Sequence, residues 1–181
     1  MLVLAIDTST DMLACAVAEW EPTGTSARVD VLASGDHLCR RRANVELATT
    51  CLDVLSRAGH TMSDLDAVLV GRGPGSFTGV RIGIATAKGM ACGLSKPLHG
   101  TSVLDATAWV SWRHGVRGLL AVADDAMRGE VYPGVYELTD GGVTRTFASE
   151  TVCTADECVE LWAARADRGE LTITGNGLVK Y

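Results

Sequence analysis

The chain has 181 residues, 47% of them hydrophobic and 21% charged, with a formal net charge of −6. That is the makeup of a globular protein able to bury a core, not of a disordered one; no apolar run approaches the roughly 18 residues of a membrane span, and Asp7 arrives too early for a secretory signal. The acidic balance disfavours independent binding of nucleic acid, whose phosphates are held mostly by Lys and Arg, and the clusters Arg40-Arg41-Arg42 and Arg113 to Arg117 read as solvated faces or helix starts.

Leu2 to Ile6 reads as an apolar strand, Asp7-Thr8-Ser9-Thr10-Asp11 as a polar turn, and Leu13 to Ala18 as a second strand. A carboxylate therefore ends the first strand of a hairpin. Val29 to Ala33 is a third strand. Val45, Leu47, Ala48, Cys51, Leu52, Leu55 and Ala58 follow helical spacing, with Gly59 where a helix C-terminus favours glycine. Ala67-Val68-Leu69-Val70 is a buried strand leading through a glycine-rich loop into a helix from Val80 to Gly93.

A boundary is expected near Lys96-Pro97-Leu98, giving an N-terminal lobe, 1–97, and a C-terminal lobe, 98–181. In the second lobe Thr101 or Ser102 caps a helix running to about Arg113, and Leu119 to Ala123 is a buried strand. Glu130 to Leu138 and Val143 to Phe147 form a hairpin around Asp140-Gly141-Gly142. Thr154-x-x-Glu157 is a capping box opening a helix to about Arg168, and Leu171 to Thr174 is a last strand before Gly175-Asn176-Gly177. A three-strand meander followed by helix, strand and helix is the order of a ribonuclease-H-like lobe. The second lobe repeats that character in shortened form, so the expected class is α/β with two such lobes.

The string Gly71 to Gly83, G-R-G-P-G-S-F-T-G-V-R-I-G, is the most informative stretch. Strand, glycine turn and helix can aim backbone N–H groups at an anion. The known phosphate patterns fail, however. Lys88 is followed by Gly89, not by Ser or Thr; Ser76 and Thr78 stand where G-x-G-x-x-G needs glycine; and Ser76 lacks the flanking glycines of a hydrolase elbow. A tight structural turn with close helix packing is the favoured alternative. Past the loop, Gly79, Gly83, Ala87 and Ala91 form one small-residue ridge and Ala85, Gly89 and Gly93 another. One ridge suits the chain's own sheet. The second suits either a partner helix or another intramolecular contact.

Six cysteines occur without a C-x-x-C, which points to a reduced cytoplasmic protein rather than a zinc or disulfide scaffold. Cys15, Cys51 and Cys92 fall on apolar faces, while His37, His60, His99 and His114 stand isolated and read as surface or capping residues.

Ile6-Asp7-Thr8-Ser9, the Gly71 to Gly83 loop and Asp124-Asp125-Ala126-Met127-Arg128-Gly129-Glu130-Val131-Tyr132 together resemble the TsaB family, also called YeaZ, over residues 1 to about 177. The resemblance implies the two-lobed actin-like, sugar-kinase-like ATPase fold. It also implies a non-catalytic subunit of the bacterial complex that places a threonylcarbamoyl group on adenosine beside the anticodon of certain tRNAs. Such a subunit dimerises with a catalytic paralogue, the TsaD type, and a TsaE-type ATPase joins them. It reaches tRNA only through the complex and forms a homodimer when the partner is absent. No cofactor of its own is implied, with ATP or ADP and magnesium at the level of the complex.

The TsaD type carries two histidines four apart, holding a metal, on the helix corresponding here to Ala43 to Arg57; this helix has none, so no metal site is expected. Asn44-Val45-Glu46 replaces the H-S-E-like segment of many family members, and the chain is expected to be shortened relative to them.

No catalytic residue is expected. Asp7, Thr8, Ser9 and Asp124 are read as a vestigial nucleotide cleft, because Thr8-Ser9-Thr10 fills the turn where an active ATPase carries glycine. Gly71, Gly73, Pro74, Gly75 and Gly79 form the structural loop. Glu46, Thr49, Thr50 and Asp53 on the first helix, with Arg81, Gly83, Ala85, Ala87, Lys88 and Gly89 on the second, are the expected partner interface. On that expectation Gly83→Leu or Ala87→Trp weakens association and leaves the lobe folded. The competing function is an active ATP-dependent phosphotransferase or ATPase of the same fold, and a third is an independent RNA-binding module.

Overall fold

Along Leu2–Asp7 (β1) the residues Leu2, Leu4 and Ile6 are buried and alternate with half-buried neighbours. Leu13, Cys15 and Val17 do the same in Met12–Thr23 (β2), so a period of two turns one face of the hairpin to a core. The computed structural model describes residues 1–23, 26–39, 42–148, 151–166 and 170–179, and the chain divides into two units, Met1–Thr101 and Ser102–Tyr181.

In the first unit β2 also pairs antiparallel with Ser26–Leu38 (β3), with a bulge beside Val17 and Ala18. Ala67–Gly71 (β4) and Leu98–Thr101 (β5) continue the sheet in parallel on the other side of β1, giving the order β3-β2-β1-β4-β5. That is the ribonuclease-H-like order. Helices Ala43–Arg57 (α1) and Phe77–Leu94 (α2) pack on the same face and against each other, enclosing Leu4, Ile6, Leu13, Leu47, Val54, Leu55, Val68 and Ala87.

The first unit runs four residues beyond the boundary expected at Pro97. The reason is β5, which bonds to β4 although Leu98-His99-Gly100-Thr101 has a single large apolar residue and none of the four is fully buried. β3 likewise extends well past the expected Val29 to Ala33, through the polar stretch Ser34 to His37.

The second unit has Gly118–Met127 (β6), Glu130–Thr139 (β7) and Gly142–Ala148 (β8) in an antiparallel meander, with Leu171–Thr174 (β10) parallel to β6 and Cys153–Thr154 (β9) pairing β7. The order β10-β6-β7-β8 repeats β4-β1-β2-β3 of the first unit. Leu120 and Val122 pack under Val103–Arg113 (α3) with Tyr136 and Leu138, while Ala121 and Ala123 pack under Ala155–Ala166 (α4) with Cys158 and Trp162. The buried Tyr136 hydroxyl donates to Asp105 Oδ1 at 2.9 Å, and Arg145 pairs with the same carboxylate, tying α3 to β7 and β8. Residues 167–169, into which the helix after Thr154 was expected to run, lie outside the described residues.

The capping box opens α4 as its spacing predicts: Thr154 N–H donates to Glu157 Oε2 at 2.8 Å and Glu157 N–H to Thr154 Oγ1 at 3.3 Å. The bond from the Thr154 backbone, then that from its side chain, holds the Glu157 carboxyl below its ordinary range. A depressed folded pKa contributes stability above the unfolded value, about 4.3 for Glu, and loses it as pH falls through the lowered one. Glu157→Gln is therefore expected to melt below the parent at neutral pH, with the gap closing on acidification to about pH 2. A gap independent of pH would refute the charge contribution.

Candidate functional site

Asp7 ends β1 and folds the next two residues back on itself: Ser9 N–H and Ser9 Oγ both donate to Asp7 Oδ1, at 3.0 and 2.7 Å. This is the local bonding by which Asp favours turns. Thr8 and Ser9 are each only 2% exposed. The glycine loop lies directly on them. Thr8 Oγ1 donates to the Gly79 carbonyl at 2.7 Å, and Ser76 N–H donates to the Ser9 carbonyl at 2.6 Å. Ser76 also caps α2, its hydroxyl accepting from Gly79 N–H at 3.2 Å.

Steric fit explains the glycines. A methyl group at Gly71 would strike Asp7 Oδ2, at Gly75 the Ser9 carbonyl, at Gly79 the Thr8 carbonyl, and at Gly83 the Thr8 hydroxyl 2.5 Å away. Four glycines thus admit four atoms of one three-residue turn. Gly73 and Gly75, flanking Pro74, also take φ of 85° and 150°, which side chains disfavour. The loop that sequence alone left between anion cradle and structural turn is filled by the protein's own turn.

The second unit has a matching arrangement. Asp124 is buried near the end of β6, and the turn after β10 covers the neighbouring backbone. A methyl at Gly175 or Gly177 would collide with the Ala123 carbonyl, and Asp125 N–H donates to Asn176 Oδ1 at 2.7 Å.

The helix faces need a correction. Gly83 and Ala87, expected on the partner face, are buried in the first unit, because the ridge Gly79, Gly83, Ala87, Ala91 lies on the sheet. The other ridge is open. Ala85, Lys88 and Gly89 are exposed, and nothing beyond the helix's own backbone comes within 4 Å of a methyl placed at Gly89 or Gly93. Cys92, read as facing the core, is exposed on this side too.

On α1 the expected polar contacts are already answered within the unit. His37 and Arg42 hold the Glu46 carboxylate at 2.9 and 2.8 Å. Thr49 and Thr50 donate to the Glu46 carbonyl, and Asp53 pairs with Arg57 at 3.0 Å. What stands out of the surface instead is apolar: Val45 is 62% exposed, Leu52 54% and Phe77 71%, with the Arg81 guanidinium 4.1 Å above the Phe77 ring. Apolar spacing grouped Val45 and Leu52 with the core. Plotted at 100° per residue they fall opposite Leu47, Cys51 and Val54, and that signal could have separated them.

Arg40 and Arg41 of the basic run lie outside the described residues. Among the described residues no three His, Cys, Asp or Glu side chains gather as metal ligands, and no helix is long and apolar enough to cross a membrane.

Two ribonuclease-H-like units in one chain, each with a carboxylate near the end of its first strand, define an α/β chain of the actin-like, sugar-kinase-like class. The family model described as TsaD, tRNA N6-adenosine threonylcarbamoyltransferase, matches residues 37–170. The tRNA threonylcarbamoyladenosine biosynthesis protein TsaB of Escherichia coli K12 is 38% identical over 152 residues, 84% of this chain and 62% of that protein. A crystal structure described as an uncharacterized protein with similarity to peptidase YEAZ from Pseudomonas aeruginosa superposes with a TM-score of 0.80 at 31% identity, covering 98% of this chain and 77% of the other. YeaZ from Pseudomonas aeruginosa superposes at 0.71 with 33% identity, over 86% and 68%. The chain belongs to the TsaB (YeaZ) family. It spans 62, 60 and 64% of the length of the TsaB proteins of Escherichia coli K12, Buchnera aphidicola and Bacillus subtilis.

Proposed function

We propose that this chain is a non-catalytic subunit that dimerises with a TsaD-type transferase in forming N6-threonylcarbamoyladenosine beside the anticodon of tRNAs. The observation that carries the reading is the outward face of α1 and α2, where Val45, Leu52 and Phe77 stand exposed beside the open ridge Ala85, Gly89, Gly93. Large apolar side chains next to a groove of small ones let a second helix pair approach closely and bury area worth about 25 cal/mol per Å². Arg81 and Lys88 answer carboxylates at the rim. Such a patch is also self-complementary, so a homodimer forms through it when the partner is absent.

Two further features support the reading. The turn at Asp7 to Ser9 has its hydrogen-bonding groups engaged by the chain itself, and α1 lacks the histidine pair by which the TsaD type ligates its metal. Nucleotide and magnesium then act at the level of the complex, with a TsaE-type ATPase, and tRNA is reached through the assembly in the cytoplasm. Mixed with the TsaD-type protein, the chain is expected to co-elute as one species in size-exclusion chromatography, and alone it is expected not to turn over ATP. Separate elution at micromolar concentrations, or ATP hydrolysis by the lone chain, would overturn the proposal.

A further inference from the structure

The core of the first unit encloses two thiols in contact. Cys15 lies on the buried face of β2 between Leu13 and Val17, and Cys51 on the inward stripe of α1 between Leu47 and Val54. Both are free and buried, and their sulfur atoms stand 3.3 Å apart, against about 2.05 Å in a disulfide. A small hydrophobic role accounts for either cysteine singly. It does not account for two sulfurs meeting across a helix and a strand.

We propose that Cys15 and Cys51 form a reversible thiol/disulfide pair that is closed by a peroxide-class oxidant and pins α1 to β2. The thiolate of Cys15 attacks a peroxide oxygen; the S–O bond forms, the O–O bond breaks, and the departing hydroxide takes a proton to become water. The Cys51 sulfur then attacks the sulfenic sulfur; the S–S bond forms, the S–O bond breaks, and a second water leaves with the Cys51 proton. The two thiols together lose two electrons and two protons, and one hydrogen peroxide becomes two waters.

The hydrogen bond shared by the two sulfurs pulls the Cys15 thiol down against the opposing effect of burial, while the same bond and burial push Cys51 up. Burial also shapes the outcome. Entry of peroxide waits on local opening of α1, so the pair reacts more slowly than exposed Cys92. Once a sulfenic acid has formed, the adjacent Cys51 thiol reaches it before a second peroxide does, which favours disulfide over sulfinic acid. The closed ring takes in all of β3 and restrains the unfolded chain.

The test uses the full chain carrying Cys92→Ser, to prevent coupling between molecules. It is incubated overnight with hydrogen peroxide, freed of peroxide, denatured in the presence of excess alkylating agent and digested without reductant. A linked peptide joining Cys15 to Cys51, released by dithiothreitol, is expected, with a rise in Tm of about 5 °C or more that dithiothreitol reverses. Peptide mapping separates it from any product of Cys153 and Cys158, which interact with each other in the second unit. Recovery of Cys15 and Cys51 as alkylated thiols or as sulfinic acids would overturn the proposal. Cys15→Ala and Cys51→Ala serve as controls, and should either fail to fold, the linkage in the parent decides alone. Because α1 also carries the proposed partner face, any effect of the linkage on pairing rests on the function proposed above. Linkage and melting are read with no partner present, so they stand or fall separately from it.

Discussion

Gly79→Ala is expected to unfold the first unit rather than to alter any binding step. The added methyl meets the Thr8 carbonyl, a main-chain atom at the end of β1, where Asp7 and the glycine loop already fix the backbone. Side-chain rotation cannot relieve that collision. Overpacking of this kind costs about 3 kcal/mol or more when the neighbour cannot move, a large part of the stability of a unit this size. Gly89→Ala on the same helix is the matched control, since its methyl enters open space. That change is expected to stabilise by about 0.5–1 kcal/mol through helix propensity. Urea titrations of both variants read the difference directly. Equal stability for Gly79→Ala and the parent would mean that the loop does not seat on the turn.

Leu52→Glu combined with Ala85→Glu is expected to weaken pairing with a TsaD-type protein by about 100-fold, equivalent to about 2.7 kcal/mol. Both positions are exposed, so the melting temperature of the lone chain is expected to stay within about 2 °C of the parent. Placing charge at the apolar centre of an interface removes burial and strands a desolvated carboxylate. Titration by calorimetry or light scattering measures the loss, and unchanged affinity would remove this face from the proposed function. Gly83→Leu and Ala87→Trp, by contrast, strike the core and are expected to unfold the unit, because Gly83 faces Thr8 and Val70 and Ala87 is fully buried.

Much of the architecture was legible where one physical signal dominated. The apolar strands Leu2 to Ile6 and Leu13 to Ala18, the capping box at Thr154 and Glu157, and the strand Leu171 to Thr174 each follow from local pattern. β5 was not legible, since Leu98-His99-Gly100-Thr101 is held by its bonds to β4 and not by its own side chains. The polar half of β3 escaped for the same reason. At the candidate site, two small-residue ridges could be counted, but which one faces the sheet depends on the twist that Ser76 and the loop impose on the start of α2. That is a tertiary fact. Val45 and Leu52 were grouped with the core because their apolarity was counted without their angular position, which sets them opposite Leu47, Cys51 and Val54.

The seating of the glycine loop on Asp7, Thr8 and Ser9 bears on how this surface can change over evolutionary time. Ser76 N–H and the Gly79 carbonyl, groups that a bound anion or its counter-ion would address, are instead engaged by the Ser9 carbonyl and the Thr8 hydroxyl. Much of what fills the niche is main chain, which every amino acid shares, so exchanging side chains cannot clear it. A descendant of this chain that recruited a phosphate here would have to insert or delete residues in one of the two turns.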